Sequence, residues 1–111
     1  MIMATTLKVL WQSNPSATTL TTLYTVPAAT STVASSIVIC NRSATATSFR
    51  VAVRPAWAGI SNEHYLYYDV TIAGNDTFIA TIGISLATTD VVSVYATLAT
   101  LSFSLFWQEN S

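Results

Sequence analysis

Thr100-Leu101-Ser102-Phe103-Ser104-Leu105-Phe106-Trp107 alternates apolar and hydroxyl side chains almost without a break. Successive side chains of an extended chain point to opposite faces, so Leu101, Phe103, Leu105 and Trp107 share one face, and Thr100, Ser102, Ser104 and Phe106 share the other. The stretch reads as a strand with one face on a core. Residues 48–54 repeat the pattern: Phe49, Val51 and Val53 point one way, and Arg50, Ala52 and Arg54 the other.

Working outward, residues 5–10, 21–26, 33–41, 65–72, 77–84 and 90–97 are rich in β-branched and aromatic residues, although their two faces differ less. Turn formers separate them: Asn14-Pro15, Pro27, Asn41-Arg42-Ser43, the run from Pro55 to Asn62, Ala73-Gly74-Asn75-Asp76 and Thr88-Thr89-Asp90. Gly74-Asn75 between two apolar runs marks a hairpin. The expectation is a single all-β domain over residues 1–111, with about eight strands in two packed antiparallel sheets. Such a β-sandwich is of Greek-key or jelly-roll type, and a closed barrel is the alternative.

Composition narrows function by exclusion. Nine residues of 111 are charged, whereas 18 are Thr and 13 are Ser. An ordinary domain is about 25% charged, so hydroxyls and alanine take over the surface here. Four Lys/Arg against five Asp/Glu cannot neutralise many phosphates, which argues against nucleic acid as a partner. The apolar content excludes a disordered chain, and eight Glu, Lys, Gln and Arg residues are too few for a helical bundle. No stretch reaches the roughly 18 apolar residues of a membrane helix. The start, Met1-Ile2-Met3-Ala4-Thr5-Thr6, lacks the basic and apolar regions of a secretory leader, so the expectation is a soluble protein made in a cytoplasm.

Candidate chemistry is sparse. The lone Cys40 cannot form an internal disulfide and reads as a small hydrophobe buried in the run Ile37-Val38-Ile39-Cys40. His64 is the sole histidine, and no nucleophile-elbow sequence surrounds a serine. A structural hydrogen-bonding role suits it better than that of a base. One His, one Cys and scattered acids show no metal-ligand spacing, and three isolated glycines cannot make a phosphate loop. The expectation is a non-enzymatic protein with no cofactor. Asn41-Arg42-Ser43 and Asn75-Asp76-Thr77 match a glycosylation sequon but fit turns unaided.

Three features suggest contacts. Tyr65, Tyr67 and Tyr68 lie in one strand with Trp57 in the loop before it, a set that could form a stacking platform for a sugar or a base, though tyrosine is also a favoured strand residue. Arg42, Arg50 and Arg54 concentrate three of the four basic groups within 13 residues, either as a solvated face or as a patch for a partner's carboxylates. Apolar groups on both faces of several strands, in a chain of positive mean hydropathy, call for burial against other subunits. Trp11 and Trp107 suit such contacts.

The segments Leu23-Tyr24-Thr25-Val26-Pro27-Ala28-Ala29-Thr30, Ile37-Val38-Ile39-Cys40-Asn41-Arg42-Ser43 and Phe49-Arg50-Val51-Ala52-Val53 resemble a family of short virion proteins of tailed bacteriophages. So do His64-Tyr65-Leu66-Tyr67-Tyr68-Asp69, Asn75-Asp76-Thr77-Phe78, Asp90-Val91-Val92-Ser93-Val94-Tyr95-Ala96 and Leu101-Ser102-Phe103-Ser104-Leu105-Phe106, so that the likeness runs over residues 7–109. It implies a small β-sandwich structural protein of a phage particle, assembled in the host cytoplasm. Capsid decoration, the cementing of neighbouring capsomers, is the first expectation. A tail, baseplate or fibre component is the second, and a module binding host-surface carbohydrate the third.

The implied partners are copies of itself, as a trimer or other homo-oligomer, and the major capsid protein or a tail protein of the same particle, with no nucleic acid and no membrane. Candidate interface residues are Trp11, Arg42, Arg50, Arg54, Trp57, Tyr65, Tyr67 and Trp107. Tryptophan stands at 11, 57 and 107 where the family pattern leads one to expect glycine or another small residue.

Overall fold

The structure, a computed structural model, describes the backbone of residues 5–110 and the side chains of residues 12–106. Eight strands follow one another: β1 (Thr5–Ser13), β2 (Thr21–Thr25), β3 (Ser31–Asn41), β4 (Thr47–Arg54), β5 (Tyr65–Ile72), β6 (Thr77–Leu86), β7 (Val91–Ala96) and β8 (Leu101–Asn110). The eight expected segments are all strands, several of them one to three residues longer than their hydrophobic pattern. Four strands form one sheet in the order β1-β8-β3-β6, and four form the other in the order β2-β7-β4-β5.

Every pairing is antiparallel. First pairs with last, second with seventh, third with sixth and fourth with fifth. A long eight-stranded hairpin is thus rolled up so that alternate pairs fall in opposite sheets. Among the sandwich alternatives this is the jelly-roll connectivity.

Period two decides what lies between the sheets. From β8 come Leu101, Phe103 and Leu105, from β3 Ile37 and Ile39, from β4 Phe49 and Val51, and from β7 Val92, Val94 and Ala96, all buried in one core. Phe49 sits at its centre, with ring centroids 5.1 Å from Phe78 and 6.4 Å from Phe103. Burying a Phe, Leu or Val contributes about 1.5–3 kcal/mol each, and this shared layer holds the two sheets face to face. The inward residues of β6, Phe78, Ala80, Ile82 and Ile84, pack on the core but stay partly exposed because β6 is an outer strand.

Two expectations need correction. Cys40 is half-buried rather than a core residue: Ile39 and Asn41 take the inward positions, so alternation turns Cys40 to the outer face, opposite Thr77 and Ser102. The turn at Gly74-Asn75 does not close a hairpin, because β5 and β6 belong to different sheets. It is an arch over the end of the sandwich. Asn75 adopts the left-handed conformation the turn needs (φ +56°), while Gly74 lies so close to the β3–β4 turn that a Cβ there would sit 2.1 Å from the Ala44 carbonyl oxygen.

Asn41 ties that end together. Its side chain donates to the carbonyls of Thr45 and Ala73 and accepts from the Ser43 N–H and the Thr100 hydroxyl. One residue therefore joins the turns after β3, β5 and β7. With its amide engaged and the residue only 1% exposed, Asn41 is not open to glycosylation, and its sequon is a turn sequence.

Candidate functional site

The outer face of the β2-β7-β4-β5 sheet gathers Arg50, Asp69, Tyr65, Tyr68 and Tyr95 into one cluster. Arg50 and Arg54 project from β4 onto this face, as the alternation around Phe49 and Val51 requires. Arg50 stands opposite Tyr95 of β7. On the other side, β5 is irregular. Its register against β4 slips between the pairs Phe49–Val70 and Val51–Tyr67, where Tyr68 and Asp69 together face Arg50, and Asp69 has φ +51°. It slips again between Val51–Tyr67 and Ala52–Tyr65, which leaves Leu66 as an extra residue.

These two β-bulges redirect the tyrosines. In a regular strand Tyr65 and Tyr67 share a face. Here Tyr67 points inward, its ring 5.5 Å from Phe78 and 6.2 Å from Phe49. Tyr65 is instead brought beside Tyr68, with centroids 4.9 Å apart and planes at 85°. The expected platform of Trp57, Tyr65, Tyr67 and Tyr68 is thus corrected: Tyr67 is part of the wall of the core.

Tyr95 takes a place that sequence reasoning missed. The Arg50 guanidinium lies between two rings, 4.2 Å from the centroid of Tyr68 and 4.3 Å from that of Tyr95. Its Nε donates to Asp69 Oδ1 at 2.7 Å and Nη2 to Oδ2 at 3.2 Å. This two-pronged hydrogen bond is the main cause that pushes the Arg50 pKa up and holds the Asp69 carboxyl below its ordinary range. A cation between two aromatic faces gains from both quadrupoles, and the stack fixes the Tyr68 ring although that residue is 56% exposed. Only the pairing of β4 with β7 shows that Tyr95 belongs here, and no local sequence signal carries that.

The three arginines do not share one task. Arg54 donates to the Ser93 hydroxyl, the Ala58 carbonyl and the Thr22 hydroxyl, fastening the β4–β5 loop across β7 to β2. Arg42 donates to Asn14 Oδ1 and the Ala99 carbonyl. Each guanidinium thus has partners within the chain.

Trp57 is 58% exposed at the tip of the β4–β5 loop, and both it and Ala56 have positive φ (63° and 48°). Asp90 Oδ1 accepts the Ala56 N–H, and the Ala58 N–H bonds back to the Pro55 carbonyl, which holds this turn in place. Farther along the loop, His64 Nδ1 accepts the Ser61 N–H and thereby caps the short 3-10 turn Asn62–His64. The loop delivers Asn62 beside Tyr65 and Tyr68, and the three line an open depression of about 460 Å³. The side chains of Trp11 and Trp107 lie outside the described residues.

No group of three or more His, Cys, Asp or Glu that could hold a metal ion occurs among the described residues, and no helix there is long and apolar enough to cross a membrane. No protein-family model, curated protein or solved structure matches the chain.

Proposed function

We propose that this chain is a structural protein of a phage virion that works as assembled copies of itself, with capsid decoration as the first assignment and a tail, baseplate or fibre position as the second. The likeness of its strand and turn segments to short virion proteins supplies the setting. One observation in the fold carries the assembly: the free edge of β6.

Outer strands expose unpaired N–H and C=O groups, and proteins that stay monomeric blunt them with charge, proline, bulges or brevity. In this protein β2 has only five residues, and β5 is twice bulged and carries Asp69. By contrast β6 runs for ten residues, Thr77-Phe78-Ile79-Ala80-Thr81-Ile82-Gly83-Ile84-Ser85-Leu86, with no charge and no proline; its one bulge, at Ile82-Gly83 where Gly83 has φ +52°, leaves Thr77–Thr81 as a regular edge. Ile79 points away from the core and is 68% exposed. The core-facing side chains of the same strand remain only partly covered. A ladder to a neighbouring copy would pair that backbone and complete the burial, and the lack of charge on β6 means no like-charge penalty where two such edges meet.

The test is the mass of the purified chain by sedimentation equilibrium, with an Ile79→Lys, Thr81→Lys double variant beside it. Both substituted side chains are exposed, so the variant keeps its core. The expected result is an oligomer for the native chain and a monomer for the variant. A native chain that is monomeric at millimolar concentration overturns the assembly reading. Density for the chain located in an intact particle decides between head and tail, and a particle without it refutes the virion assignment.

A further inference from the structure

We propose that the corner formed by Asn62, Tyr65 and Tyr68 binds a neutral sugar ring of an oligosaccharide or polysaccharide. The proposal is independent of the assembly reading, since it concerns the outer face of the other sheet.

A pyranose presents an apolar C–H face and a rim of hydroxyls. It is held by aromatic walls together with a few fixed hydrogen-bonding groups in a small concavity. The Tyr65 and Tyr68 rings meet at 85°, one as a floor and the other as a wall. The open depression they line with Asn62 measures about 460 Å³, room for one ring that stays largely exposed rather than an engulfed ligand. Asn62 offers both an amide donor and a carbonyl acceptor. Next to Tyr68 in the chain, the Asp69 carboxylate is 45% exposed and keeps lone pairs beyond the two engaged by Arg50, so it can accept from a sugar hydroxyl.

Two features distinguish this corner from incidental surface tyrosines. First, the Tyr68 ring and the turn that carries Asn62 are held before any ligand arrives. Arg50 clamps Tyr68 from beneath, Tyr95 and Asp69 clamp Arg50, and the Ser61–His64 cap fixes the turn that carries Asn62. Binding therefore costs little side-chain ordering. Secondly, Arg50 and Asp69 beside it neutralise each other, and the exposed carboxylate of Glu63 next to Asn62 adds only negative charge, which selects an uncharged ligand over a sialylated or phosphorylated one. A staple of the sheet uses Arg50, Tyr95, Asp69 and the two tyrosine rings, Tyr65 included through its hydrogen bond to Arg50, but it would not need Asn62 brought up beside them.

The experiment applies the full chain to an array of neutral and sialylated oligosaccharides and follows the strongest hit, and its methyl hexoside, by calorimetric titration. The expected result is retention of neutral glycans with Kd of about 0.1–1 mM. Tyr68→Ala and Asn62→Ala should each weaken binding about tenfold, the size of an aromatic or polar anchor contact. Trp57→Ala and the Ile79→Lys, Thr81→Lys double variant should leave it unchanged. Asn62 lies outside the Arg50 stack, so Asn62→Ala keeps the test valid if Tyr68→Ala fails to fold. A methyl hexoside that competes points to recognition of a single ring, and one that does not points to recognition within a chain. No retained glycan, preference for sialylated ones, or binding that survives both corner variants and falls with Trp57→Ala would overturn the proposal.

Discussion

Asn41→Ala should be among the most damaging polar substitutions in the described part of this protein, and the structure sets its size. The side chain makes four hydrogen bonds: to the Thr45 carbonyl at 2.9 Å, to the Ala73 carbonyl at 3.2 Å, from the Ser43 N–H at 3.1 Å and from the Thr100 hydroxyl at 3.2 Å. A hydrogen bond contributes about 1 kcal/mol net, and a buried group stripped of its partner costs about 1–3 kcal/mol. Ser43 is half-buried and Thr45 exposed, so some orphaned groups recover water, and about 4 kcal/mol is the expected loss. For a domain of 111 residues with total stability of about 5–15 kcal/mol, that is a drop in Tm of roughly 15 °C.

Urea unfolding at one fixed chain concentration measures it, since association also stabilises the folded state. The midpoint should fall with an unchanged slope. Asn41→Asp sharpens the test, because it keeps the Oδ1 acceptor and replaces the Nδ2 donor by a carboxylate oxygen facing two carbonyls. Burial and those lone pairs raise the folded-state pKa of the new carboxyl above its unfolded value of about 3.9. The variant should therefore come closest to the native protein below that pH and lose stability as pH rises through the folded value. A loss below 1 kcal/mol for Asn41→Ala, or a pH-independent deficit for Asn41→Asp, would refute the idea that this side chain holds three turns together.

Other substitutions probe separate supports. Gly74→Ala drives a methyl into the Ala44 carbonyl and should cost about 2–3 kcal/mol in thermal unfolding, as overpacking against backbone does. Asp90→Ala removes the acceptor of the Ala56 and Ala87 N–H groups. It should cost about 1–2 kcal/mol and bring faster proteolysis within the β4–β5 loop. The depressed Asp69 carboxyl, held down chiefly by Arg50, contributes stability above the unfolded pKa of about 3.9 and loses it as pH falls through the lower folded value. A Tm profile from pH 7 to pH 2 should show a smaller acid drop in Asp69→Asn than in the native chain.

The strands were legible because the physics that writes them is local. Leu101-Ser102-Phe103-Ser104-Leu105 and Phe49-Arg50-Val51 alternate as a half-buried strand must, and the register agrees. Where sequence reasoning failed, a local rule was overridden by something distant. Tyr65 and Tyr67 sit two apart and read as neighbours, but bulges set by pairing with β4 put them on opposite faces. Gly74-Asn75 supplied a turn, as expected, but only the sheet order reveals that it arches between sheets. Cys40 looked buried because its neighbours are apolar, although parity with Ile39 already pointed it outward. Tyr95 joins Arg50 through a strand pairing that spans 45 residues of chain, counting from 50 to 95, and nothing near either residue announces it.

The pairing of β1 with β8, from Thr5 opposite Asn110 to Ser13 opposite Phe103, has a consequence for biosynthesis. β8 is flanked by β1 and β3, so the sheet that contains them cannot close until the ribosome has released residues 101–110. At about 5–20 residues per second, the early strands wait roughly 5–20 s with their partner still unmade. For a segment with so few repelling charges, that wait is a period of exposure to other nascent chains. Yield on expression should therefore respond to chaperone supply and translation rate more than the stability of the finished domain would suggest.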